Sequence, residues 1–522
     1  MTRYTLCACA GLIGLASLWL HLAIAAGAAG SLNDPPAISP GCGAIEPLLV
    51  ADGRGGAIVI WEDSRATGPA NLLICAQHVL AGGGVDPSWP PAGLELGFTS
   101  IGLRGHAVVG DGAGGAIVAW ADCRKAMGLP DESWIDDRHL PDLDIYAQRV
   151  RASGTLDPRW PGQGRALCTA RNAQKDVTAV SDGNEGAIVA WSDFRASRRG
   201  GKRHVYAQHV LGNGKVDASW PADGREVCPA RRLQSPQSLV PDGAGGAIVA
   251  WMDWRGENAD LYAQHLRGSG AVDTTWPAAG RALCTAPGDQ FDCGGVSDGA
   301  GGAIFAWQDY RLGDPSARGM VYTQRVDAGG ALDPTWPANG RTLCANEYPQ
   351  YEPAITGDGT GGAIVAWVDY HRRPCAGIYV QRVLTSGPDS TWPAEGLALC
   401  TAENDQQHPA VVADSSGGAV VVWADRRDYA GPDLKTGLYA QHVLRNGEVD
   451  RAWPAEGLAV DTVPGCHWFL VIVTDGAGGA IVAWTDRRGG GFGLYVQHVL
   501  ACGKVDPAWP VDGLAICGPE AR

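Results

Sequence analysis

Apolar and polar positions alternate in short bursts along nearly the whole chain, and no stretch keeps the spacing of an amphipathic helix. The clearest burst is Ala116-Ile117-Val118-Ala119-Trp120, introduced by Asp111-Gly112-Ala113-Gly114-Gly115. Versions of this string begin at Asp52, Asp182, Asp242, Asp298, Asp358, Asp414 and Asp475, and in all eight copies the Trp stands nine residues after the Asp. A second burst, Ile145 to Val150, contains Gln148, and the same Gln recurs as Gln77, Gln208, Gln264, Gln324, Gln381, Gln441 and Gln497. A Trp-Pro pair follows each time, with Trp89, Trp160, Trp220, Trp276, Trp336, Trp392, Trp453 and Trp509. A short apolar stretch such as Arg165-Ala166-Leu167-Cys168 ends the unit.

Four apolar runs separated by turn chemistry predict a four-stranded antiparallel sheet per unit, strands A to D, with the Asp-Gly-x-Gly-Gly string as the A–B hairpin. On strand B, Ala116, Val118, Trp120, Asp122 and Arg124 share one face, and Ile117, Ala119 and Ala121 the other. Both faces are apolar or small, so both must be covered. Radially packed blades cover one another, and the 56 to 71 residues between successive Asp positions suit one blade each. The expected fold is therefore all-β, an eight-bladed β-propeller with four antiparallel strands per blade. Its blades fall at about 42–98, 101–170, 172–230, 232–286, 288–346, 348–402, 404–461 and 465–518 of a single domain spanning 42–522.

The first 25 residues read as a secretory signal, with Arg3, an apolar run from Leu6 to Leu20 and Ala23-Ile24-Ala25 as a small-x-small cleavage site. Residues 26–41 form an N-terminal segment. The expectation is an exported, extracellular or cell-surface monomer without membrane insertion. A formal charge of −15 disfavours nucleic acid as a partner. Sixteen of the 20 Trp occupy two repeat positions, which points to core rather than sugar platforms. Burying one Trp removes about 150–250 Å² from water, on the order of 4–6 kcal/mol gross.

Of the 15 Cys, 13 lie beyond the signal, so not all can pair internally. Cys168, Cys228, Cys284, Cys344, Cys400 and Cys517 hold one strand-D position in separate blades and read as small core residues. Cys42 and Cys466 precede the turn Asp of blades one and eight by ten and nine residues, and a disulfide between them would clasp the ring.

Trp-x-Asp-x-Arg ends strand B in seven copies, giving the pairs Asp63/Arg65, Asp122/Arg124, Asp193/Arg195, Asp253/Arg255, Asp309/Arg311, Asp425/Arg427 and Asp486/Arg488. Because every copy but one has the pair, it reads as a structural ion pair. Copy six has His371 in place of the Arg, followed by Arg372. His78, His209, His265, His442 and His498 follow the repeated Gln, with Arg149, Arg325 and Arg382 in the other copies. One per blade, interchangeable with Arg, they are not metal ligands. No metal, cofactor or catalytic residue is expected.

The connection from strand B to strand C varies from seven to 22 residues between its Arg and Tyr positions, whereas the repeated Gln and Trp are always eleven or twelve apart. The face bearing the variable loops is thus the expected ligand face. Its candidates are Trp134, Asp136, Asp137, Arg138 and His139 in the longest loop, Arg198 and Arg199 in the next, and His371 and Arg372.

The strings DGAGGAIVAWADCR and DIYAQRV resemble the repeats of poorly characterised bacterial secreted propeller proteins, over about 90% of the chain. The resemblance implies the fold and an exported life, without an activity. Asp-box propellers such as sialidases place the Asp five residues before the aromatic rather than nine, so no sialidase residue is carried over. The functional expectation is a non-catalytic binding or scaffold module for a carbohydrate or protein. A multivalent lectin using the repeated Trp, Asp and Arg, and a one-site glycosidase-like enzyme, are the alternatives.

Overall fold

The fold is seen in a computed structural model that describes residues 43–63, 72–99, 105–125, 142–196, 202–229, 233–312, 319–344, 348–371, 375–428, 435–465, 467–488 and 492–517. All regular structure among them is strand, gathered into eight antiparallel sheets. In blade one, strand A is Ala44–Ala51, B is Ala57–Asp63, C is Leu72–Val79 and D is Leu94–Thr99, hydrogen-bonded in the order A-B-C-D. The other blades repeat this order, and blades six and eight add the short strands Gly387–Pro388 and Lys504–Val505 beside strand C. Every sheet is built from consecutive strands, so no blade borrows one from the opposite end of the chain.

The A–B hairpin forms because its Asp organises the turn. Asp111 Oδ1 accepts hydrogen bonds from the amides of Ala113 (2.8 Å) and Gly115 (2.7 Å). Gly112 and Gly114 sit at φ of 73° and 83°, a region that a Cβ penalises. Strand B then enters a fully buried layer. Ile117 and Ala119 pack with Val189 and Trp191 of blade three, whereas Val118 and Trp120 pack with Ile58 and Ile60 of blade one. This explains why both faces of strand B are apolar.

One hydrogen bond, repeated eight times among the described residues, stitches each blade to the next. Trp89 Nε1 donates to the Ala152 carbonyl (3.1 Å), and the Trp-Pro tryptophans of the next six blades do the same across their own interfaces. The eighth, Trp509 Nε1, donates to Ala81 of blade one at 3.1 Å and closes the ring. Cys517 Sγ of blade eight likewise reaches Asp63 of blade one at 3.5 Å. The A strands of successive blades pack side by side, including blade eight on blade one, so they surround the propeller axis.

The repeated cysteines Cys168, Cys228, Cys284, Cys344, Cys400 and Cys517 are buried, with burial pushing Cys400 up to about 12. Cys42 and Cys466, expected to pair, lie outside the described residues, as do residues 1–25, which the sequence reads as a signal.

Candidate functional site

The repeated polar residues are consumed by the fold. In blades one to seven the strand-B Trp Nε1 donates to the Asp two residues on, as in Trp120 to Asp122 at 2.8 Å and Trp251 to Asp253 at 2.9 Å. The Arg after it pairs with the same carboxylate in Asp122/Arg124, Asp193/Arg195, Asp253/Arg255, Asp309/Arg311, Asp425/Arg427 and Asp486/Arg488. Each of these guanidinium groups also lies over the strand-C Tyr of its blade, 3.6 to 4.0 Å from the ring centroid. Asp63 accepts from Trp61 at 3.2 Å, and Arg65 lies outside the described residues. All sixteen repeat tryptophans are buried, the strand-B set at 0–1% exposure and the Trp-Pro set at 2–5%, so none presents a face to a sugar.

The His or Arg after the repeated Gln is a clamp between two carboxylates. His78 Nε2 meets the turn Asp52 at 3.0 Å and its Nδ1 meets Asp86 at 2.8 Å. Arg382 bridges Asp358 and Asp389 in the same way. The second carboxylate, at Asp86, Asp157, Asp217, Asp273, Asp333, Asp389, Asp450 and Asp506, escaped sequence reasoning, although it always stands three residues before the Trp-Pro tryptophan. The repeated Gln ties the same region down, its Nε2 donating to the carbonyl of the Pro in that pair, as in Gln148 to Pro161 at 2.8 Å.

The start of strand A pairs with the end of strand B, as in Gln174 opposite Asp193, so the A-strand N-termini and the B–C loops share one face. Just inside that face seven of the eight A strands bulge, placing two residues opposite the single strand-B Trp or leaving one residue unmatched beside it. The first bulge residue is Glu46, Asp176, Asp292, Glu352, His408 or Phe469, each held at φ between 51° and 56°. Side chains rarely adopt that region, and such strain persists where surrounding structure enforces it. The axial strand ends thereby carry four carboxylates that the repeat does not require.

Aromatic side chains gather on the same face, unevenly. In blade five Phe291 stacks on Tyr310 (5.1 Å), and in blade six Tyr351 meets Tyr370 edge-on (5.7 Å). Tyr348, 40% exposed, lies 4.9 Å from His371, and Leu312 is 60% exposed. Glu352 accepts from the His408 amide at 2.7 Å and pairs with its Nδ1 at 3.2 Å, and this carboxylate holds His408 above the usual imidazole value. Of the residues that the sequence nominates for ligand binding, His371 is in this sector. Trp134, Asp136, Asp137, Arg138, His139, Arg198, Arg199 and Arg372 lie outside the described residues.

Two clusters of His with carboxylates also break the repeat. Asp461, His467, Asp486 and Arg488 meet between blades seven and eight, with His467 Nε2 2.8 Å from Asp461 and Arg488 pairing with both carboxylates. In blades three to seven the His467 position is Gln, and in six of the other blades the Asp461 position is the strand-D Cys. The pair is thus a joint replacement around one Asp/Arg unit. Glu46, Glu62 and His106 meet between blades one and two, with His106 Nδ1 3.1 Å from Glu62 Oε1. Sequence reasoning missed both, because the partners are far apart in the chain. The available signal was Glu62 itself, the one charged residue at a register where the other copies carry Ala121, Ser192, Met252, Gln308, Val368, Ala424 and Thr485.

No protein-family model and no curated protein matches the sequence. Among solved structures the chain is similar to an ulvan lyase of polysaccharide lyase family PL25, at 11% identity and TM-score 0.44, over 92% of this chain and 96% of that one. It is similar to a Hadza microbial sialidase at 12% identity and TM-score 0.35, over 62% and 63% of the two chains. A Penicillium chrysogenum α-L-arabinanase follows at 10% identity and TM-score 0.34, over 76% and 92%. At these scores the fold rests on strand order and ring closure, not on the likenesses.

Proposed function

We propose that this chain is an exported, non-catalytic propeller that binds one carbohydrate ligand on the face bearing the variable B–C loops, in the sector of blades five and six. One observation carries the reading: the sixteen repeat tryptophans are buried in the fold, whereas Tyr348, Tyr351, Tyr370, His371 and Leu312, exposed or half-buried groups that break the repeat, lie together in this sector. Aromatic rings offer apolar faces to the C–H side of a sugar, and Glu352 and His371 offer acceptors and a donor to its hydroxyls. The negative charge of the chain, with carboxylates at Asp292 and Glu352 beside the sector, favours a neutral glycan over a sulfated or uronic one.

A glycan array probed with the mature protein tests this. Neutral oligosaccharides should be retained, and Tyr348→Ala or Glu352→Gln should weaken the strongest of them at least tenfold while leaving the unfolding midpoint within a few degrees. Retention confined to polyanionic glycans, or unaffected by both substitutions, would contradict the assignment. Turnover of a retained glycan would replace the non-catalytic part of the reading and keep the sector.

A further inference from the structure

We infer that Glu46, Glu62 and His106 form a site for one zinc-like divalent ion between blades one and two. One ligand atom from each lies within 4.8 Å of the others. Glu62 and His106 come from adjacent blades and are almost fully buried, with 1% and 2% side-chain exposure. They make one hydrogen bond to each other, which leaves Glu62 Oε2 buried without a partner, whereas the His106 ring also meets the Glu46 backbone. Thr99 Oγ1, also buried, has no partner either. Buried polar atoms are almost always satisfied, so the two orphans on neighbouring Glu62 and Thr99 point to a missing ligand.

Gly105 marks the same place. A Cβ there would stand 2.3 Å from Thr99 Oγ1 and 3.1 Å from Glu62 Oε1, so both groups converge where this strand-A position carries no side chain. The other blades hold Glu, Asp, Pro, His or Phe at that position. Glu46, half-exposed on the axial strand and turned by its bulge, supplies the route from solvent.

The donor set selects the ion. One imidazole and two carboxylates suit zinc, whereas calcium and magnesium take oxygen-only shells. The cluster at Asp461 and His467 differs because the Arg488 guanidinium already occupies it. The inference does not depend on the carbohydrate reading.

The test uses the mature chain, stripped with chelator and titrated with zinc, calcium or magnesium, with metal counted by mass spectrometry after dialysis. Zinc should be retained at one per chain and should raise the unfolding midpoint, with calcium and magnesium inert. Glu46→Gln, at a half-exposed position, and His106→Gln should each weaken zinc at least tenfold, with circular dichroism showing an unchanged sheet. X-ray absorption should report nitrogen and oxygen neighbours without sulfur. Absence of zinc retention by the wild type, retention unchanged in a folded Glu46→Gln variant, or sulfur in the shell would overturn the site.

Discussion

His209 shows how the repeat treats charge. Burial alone would lower its pKa, but hydrogen bonds and attraction from Asp182 and Asp217 outweigh burial and raise it. A histidine whose folded pKa exceeds its unfolded value of about 6.5 stabilises fully below that value. The contribution disappears as pH rises through the folded pKa. Blades two, five and six use Arg at this position and hold the same two carboxylates without titrating. His209→Arg should therefore gain stability relative to wild type between pH 6 and pH 9. Thermal unfolding at both values checks it, and parallel pH profiles for the two proteins would remove the clamp from the stability account.

At the scale of elements, the hairpin of strands B and C in blade four contains a flaw that its neighbours avoid. Asp253 and Asp260 are directly opposed, and burial, followed by repulsion from Asp253, pushes Asp260 up to about 6. In blade two the corresponding Asp144 is paired with Lys125 at 2.7 Å. Because the folded pKa of Asp260 exceeds the unfolded one, ionising it above pH 6 costs stability that is present below pH 4. Asp260→Asn should stabilise the protein at pH 7.5 by on the order of 1–2 kcal/mol, after discounting for partial exposure, with no gain below about pH 4. Chemical denaturation at the two pH values decides it, and an equal gain at both would point to a cause other than charge.

The strands themselves were legible in the sequence because each carries its own signal: the Asp-Gly turn, the buried run to Trp120, the Gln of strand C and the Trp-Pro pair. Strand A was less so. Its bulge has no composition mark, since Glu46, Asp176, His408 and Phe469 share a backbone conformation and no chemistry. The carboxylates at the axial end of the ring could be placed only once the register of strand A against strand B was known.

For the whole molecule, eightfold repetition makes structure and site separable. The eight Trp-to-carbonyl bonds include the closing one from Trp509 to Ala81, and the sequence pattern implied the closed ring that they complete. Glu62 and His106 were beyond the same reasoning: residues 44 positions apart meet only because two blades touch. His371 was visible as a break in a repeat, and it lies beside Tyr348. The central claim is that groups common to the blades serve the fold and that binding occurs where the repeat fails. Calorimetric titration of the mature protein with its strongest array ligand tests this most directly. A stoichiometry of one per chain, lost on Tyr348→Ala, is the expected result; several equivalent sites per chain, insensitive to that substitution, would mean that the repeated positions bind after all.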